Sequence, residues 1–182
     1  YNMQLMKFFG EDGVAAYGTV MYVNFVFIAA FIGYSIGVAP VIGYNYGAKN
    51  YSESQNTFKK SMIIISIFSL FITVSSYFLA VPISKIYVGY DEDLYNLTVF
   101  AFRLFATSYL ISGFNVFGSA FFTALNNGPV SATISFLRTL VFQIACIFVL
   151  PAIFSSSAIW LSVTVAETLT LAVTVFMLIT QN

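Results

Sequence analysis

Four stretches of this chain carry no charged residue: Gly13 to Ala48, Ser61 to Ser84, Leu104 to Leu137 and Thr139 to Ala166. About 20 apolar residues in a helix cross the ~30 Å hydrocarbon core of a bilayer, and each gap is long enough. Lipid offers the backbone no hydrogen-bond partner, so such runs must be helices or strands of a closed barrel. The run Ser61-Met-Ile-Ile-Ile-Ser-Ile-Phe-Ser-Leu-Phe-Ile shows no two-residue alternation, which excludes the barrel. Composition agrees: 59% of residues are hydrophobic and 8% are charged, against about 25% charged in a soluble domain. The expected fold is an all-α integral membrane protein.

Turn signals divide the chain. Tyr1 to Phe9 reads as the stump of a helix, so the chain is taken as a piece of a longer protein. Gly10-Glu11-Asp12-Gly13 is a polar turn, and a span from about Val14 to Ile42 follows, interrupted near its end by Pro40. A loop over residues 43–55 leads to a capping box at Ser52-Glu53-Ser54-Gln55. The second span is expected to stop near Pro82, because an interior proline removes a donor and clashes with the preceding turn. A polar connection over 83–96 and a third span from Leu97 to Ala124 come next. Asn126-Asn127-Gly128-Pro129 is a turn with Pro129 placed to start a helix. The fourth span ends near Leu150-Pro151. Ser155 to Ser157 caps a last span from Ala158 to Thr180, with Trp160 expected at the lipid–water boundary. The count is five spans plus the stump. Lys49, Lys59 and Lys60 form the densest basic cluster and place the loop 43–60 in the cytoplasm. Lys7 and Lys85 then lie outside, and the C-terminus inside.

A charge inside the membrane costs from about 2.5 to above 10 kcal/mol and is a functional candidate by default. Glu167, Arg103 and Arg138 are such charges. At ~1.5 Å per residue, either arginine can lie at the depth of Glu167 and pair with it. The pair would fix helix register or couple transport to a cation. Glu167 shares a helical face with Thr164, Thr170 and Thr174. Further polar stripes follow Ser66, Ser69, Thr73 and Ser76; Ser108, Ser112, Asn115 and Ser119; and Ser135, Thr139 and Gln143. Small hydroxyl residues commonly mediate helix packing. Asn115 and Ser112, with Asn24 on the first span, are the candidates for a water-facing cavity, because an amide in lipid needs partners. Gly33, Gly37, Gly43 and Gly47 form two GxxxG patterns and, with Pro40, are read as helix-break or packing positions.

The formal net charge is zero, giving no reason to expect nucleic acid. The chain has no His, and its one cysteine, Cys146, lies within a span. Neither a metal cluster nor a nucleophile–base–orienter set can be assembled from these residues, so no cofactor and no enzyme activity are expected.

The segment Gly37-Val-Ala-Pro-Val-Ile-Gly-Tyr-Asn-Tyr-Gly-Ala-Lys-Asn-Tyr51 resembles the multidrug and toxic compound extrusion (MATE) family, where such a segment ends the second helix of a six-helix lobe. Phe102-Arg103, Ala124-Leu-Asn-Asn-Gly128, Ser135-Phe-Leu-Arg138, Leu150-Pro151, Ile159-Trp160 and Ala166-Glu167 continue the likeness in order along essentially the whole chain. The resemblance implies the C-terminal lobe of such a transporter, from the end of the seventh helix through the twelfth, with an N-terminal lobe as its partner. It implies a multi-pass protein of the plasma membrane that exports cytotoxic organic, often cationic, compounds in exchange for H⁺ or Na⁺. Coupling carboxylates in the family sit partly outside the region present here, and the third span has no acid. Glu167 is left as the intramembrane carboxylate. Two other readings stay open: a flippase of lipid-linked saccharides, which calls for several cavity cations, and a membrane subunit that does not transport.

Overall fold

The structure, a computed structural model, describes residues 1–180. The expectation for the C-terminal end at Gln181 and Asn182 lies outside the described residues. Among the described residues the regular structure is helical throughout. The first helix, α1, covers Asn2–Gly47 but is broken at Gly10, whose φ of 64° and ψ of −150° only glycine adopts readily. The stump and the first span are therefore separate rods. The stump is tied to the far end of the chain: the Tyr1 hydroxyl donates to the Ile159 carbonyl, and the Tyr1 ring stacks on Tyr17 at 4.3 Å.

The loops are shorter than the sequence suggests. Helix α1 runs through Pro40 to Gly47, and α2 begins at Tyr51 and runs through Pro82 to Val88. Neither proline ends its helix, a correction with a plain cause. In lipid, leaving the helix exposes many backbone groups, whereas a proline frees only one carbonyl. The start of α2 is also corrected. Asn50, two residues before Ser52, is the cap, and its side chain accepts from the Glu53 amide at 3.3 Å. The connection expected over 83–96 shrinks to Gly89–Asp91, because Asp91 caps α3 (Glu92–Ala106) by accepting from the Leu94 amide at 3.0 Å.

Helices α3 and α4 (Tyr109–Ala124) meet at a bend of 47° and together are long and apolar enough for one span. Asn127 caps α5 (Gly128–Phe136), with Pro129 in its first turn, as expected. A π-helical stretch, Leu137–Phe142, joins α5 to α6 (Gln143–Ile153), which carries Pro151 inside it. After an extended Ser155, a 3₁₀ turn over Ser156–Leu161 leads into α7 (Ser162–Thr180). Four helical stretches are long and apolar enough to cross a membrane, and the bent pair makes five. The chain is thus a multi-pass membrane protein.

Helix α4 is central, packed against α1, α2, α5 and α7. Its small residues allow this. A Cβ on Gly113 would stand 2.5 Å from a Phe31 ring carbon, and one on Gly118 would strike the Thr174 methyl. Of the glycines expected to mediate packing, only Gly43 is in close contact, where a Cβ would meet the Ala124 carbonyl at 3.1 Å. Gly33, Gly37 and Gly47 face open space. Trp160 is fully buried in the bundle, its ring against Phe9. The outer surface is studded with exposed Phe25, Ile36, Ile67, Phe71, Phe78 and Phe176. Hydrocarbon rather than water is the solvent that such a girdle matches.

Candidate functional site

Glu167 projects from α7 into the centre of the bundle and is 5% exposed. Its carboxylate is held from two sides. Arg138 Nη2 stands 2.8 Å from Oε1, and Arg138 Nε stands 2.9 Å from Oε1 and 3.1 Å from Oε2. Asn115 Nδ2, on α4, donates to Oε2 at 2.7 Å and to the Glu167 carbonyl at 2.8 Å. The amide orientation follows from chemistry, since turning it over would set Oδ1 against two oxygens. Oδ1 instead accepts from the Thr174 hydroxyl at 3.1 Å. Four side chains from three spans thus close one network. A guanidinium approaching with two nitrogens is the strong form of the carboxylate contact. The Arg138 side chain is 20% exposed, so stripping one partner costs less than the ~3–5 kcal/mol of a wholly buried pair.

Arg138 lies in the π-helical stretch, where an extra residue is accommodated in one turn and successive side chains are re-aimed. Such insertions are frequent at functional sites. The guanidinium borders two pockets. The first, of about 230 Å³, is lined by Tyr17, Asn24, Phe105, Ser112, Gln143 and Glu167 among others. The second, of about 220 Å³, is lined by Ser35, Asn115, Ser119 and Ser135 among others. Each is smaller than the roughly 300–1,000 Å³ of a drug-sized site.

The expected residues divide. Glu167, Arg138, Asn115, Ser112 and Asn24 come together at these pockets. The Ser112 hydroxyl donates to the Ser108 carbonyl at 2.9 Å. Among the described residues the Asn24 amide has only the Met21 sulfur as a partner, at 3.9 Å. Arg103 does not join them, which corrects the reading that either arginine could face Glu167. It lies over the Tyr77 ring, 4.7 Å from its centroid. Depth along a helix can be read from sequence, but direction around the axis depends on packing. Of the stripes, Ser119 and Ser135 join a hydroxyl chain between α4 and α5 with Ser131 and Thr123, which no stripe included, at contacts of 2.7–2.9 Å. Thr164 pairs with Thr107 at 2.8 Å. Tyr17 and Phe105 were missed as cavity residues, because an aromatic ring in an apolar run gives no local signal of what it faces.

Comparison with known proteins places this arrangement. The MatE family model matches residues 2–149. Among curated protein sequences, none gives a significant match. The inward-facing conformation of a multidrug resistance MATE family transporter of the MOP superfamily is similar in structure, with a TM-score of 0.87 and 20% identity over 96% of this chain and 41% of that one. The outward-facing conformation of such a transporter gives a TM-score of 0.87 and 18% identity over 94% and 39%. The bent form of the Vibrio cholerae MATE transporter VcmN gives 0.86 and 19% over 96% and 40%. The chain spans about two fifths of the length of these structures. At such identities the likeness shows the fold, and the family model covers most of the chain. This chain belongs to the MatE family.

Proposed function

We propose that the chain is the C-terminal lobe of a secondary active transporter of the cell membrane, which exports cytotoxic organic, often cationic, compounds in exchange for H⁺ or Na⁺. The loop 43–60 lies on the cytoplasmic side in this reading, and an N-terminal lobe completes the substrate cavity. The observation that carries the proposal is a buried carboxylate at the wall of a cavity, bound to a guanidinium that borders two pockets. A proton on Glu167 or a Na⁺ beside it removes the partner of Arg138, and the freed guanidinium turns toward the second pocket. Arg138 is partly exposed, so breaking the pair supplies only part of the ~5.5 kcal/mol that inverts a 1:99 equilibrium between two states. The small pockets fit a lobe that supplies one wall of a larger cavity. A saccharide-phosphate flippase is less well supported, because Arg138 is the one cation among the described residues bordering these pockets.

The test is an efflux assay on the full-length protein in cells. Glu167→Gln is expected to abolish most drug export while membrane expression persists, and unchanged export refutes the coupling role. Running the native protein with and without Na⁺ identifies the ion.

A further inference from the structure

Arg103 is the intramembrane charge that the proposed cycle does not use. It lies on the face of α3 turned about 200° from Phe105, which lines the Glu167 cavity. Among the described residues no carboxylate pairs with it, the one ion pair being Arg138–Glu167. Its Nε is buried without a hydrogen-bond partner. One face of the guanidinium is covered by Tyr77. Arg103 lines a pocket of about 460 Å³ together with Asn96, Val99, Phe100, Leu104 and Thr107. Phe100 and Leu104 also line a second pocket of about 460 Å³, walled by Leu150, Phe154, Leu161 and Val165 and almost wholly apolar. A cationic, donor-rich pocket thus shares a wall with a greasy one. Phe100, Phe154 and Tyr77 around them are exposed, on the bundle's outer surface.

A guanidinium at this depth is costly unless an anion meets it. Its planar fork matches a phosphate, which can take two parallel N–H bonds. The anion that a membrane supplies with an attached apolar chain is the phospholipid. We propose that Arg103 anchors a phospholipid site, its guanidinium holding the headgroup phosphate while the adjoining apolar pocket takes an acyl chain. The site requires only that the chain is embedded in a bilayer and does not depend on the transport cycle.

The experiment is native mass spectrometry of the full-length protein in neutral detergent, titrated with dioleoylphosphatidylglycerol, dioleoylglycerol or inorganic phosphate. The native protein is expected to retain phosphatidylglycerol, with neither the phosphate-free lipid nor inorganic phosphate able to displace it. Arg103→Gln is expected to weaken retention about tenfold, the loss of one charge-assisted contact. Ser157 also lines the apolar pocket, and Ser157→Trp, which fills it and leaves Arg103 intact, is expected to weaken retention as well. Equal retention by both variants overturns the site. Displacement by inorganic phosphate shows a free-anion site instead, and failure of the native protein to hold the lipid shows that Arg103 is no phospholipid site. Either result overturns the proposal.

Discussion

At the scale of single residues, Glu167 is satisfied by Arg138 and Asn115 together, so its neighbours are not interchangeable. Replacing one member of a buried ion pair strands the other charge, whereas replacing both with apolar residues of similar volume is often neutral. Arg138→Met alone is therefore expected to lower stability of the full-length protein by up to about 3 kcal/mol, below the full cost for a wholly buried pair because Arg138 is partly exposed. The double variant Arg138→Met with Glu167→Leu should recover most of it, read as thermal unfolding in detergent. If the pair couples transport, efflux stays lost in the stable double variant. Recovered efflux assigns the pair to helix register alone. Thr174→Val tests the outer end of the network. It removes one hydrogen bond to Asn115, worth about 0.5–1.5 kcal/mol, and should shift the melting temperature down slightly.

At the scale of elements, the tightest approaches are made by α4. Gly118→Ala drives a methyl into Thr174 and Gly113→Val drives a side chain into Phe31 and Ser69. Each overpacks the bundle by about 1–3 kcal/mol, measurable as reduced yield and lower melting temperature. Gly33→Ala, which meets nothing within 4 Å, serves as the neutral control. The GxxxG patterns pointed to α1, and the structure points to α4. A GxxxG pattern marks a permissive face, but whether another helix lies on it depends on the neighbours. Gly10 behaves differently. Its strained φ and ψ separate the stump from the first span, so Gly10→Ala is expected to cost about 1–3 kcal/mol and loosen the Tyr1–Ile159 contact, seen as faster backbone hydrogen exchange in residues 2–9. The break was legible because glycine beside two acids is local chemistry. The continuation of α1 and α2 through their prolines was not, because it depends on the solvent outside the helix.

For the whole molecule, the same fold matches solved relatives in both inward- and outward-facing conformations at a TM-score of 0.87. The likeness to both forms shows that this lobe's fold is common to the two conformations of such structures. Sidedness is testable in a full-length background from which every cysteine, Cys146 included, has been replaced by serine. A cysteine at Ser52 is expected to react with an impermeant maleimide only in inverted vesicles, and one at Glu92 only in intact cells. The reverse pattern overturns the cytoplasmic placement of the loop 43–60.

Most of the architecture could be read from the chain alone. Charge spacing is a local property, and a backbone without water has one economical arrangement over such lengths, so the membrane helices and their number followed from residues near one another. The ordered motifs from Gly37 to Glu167 carried the family likeness for the same reason. Only the tertiary structure decided which arginine meets Glu167, that Asn115 completes its shell, and that Trp160 is interior. Each of those depends on the direction in which a side chain leaves its helix and on which helix stands there, and a π-helical turn at Arg138 shifts that direction in a way no local pattern announces.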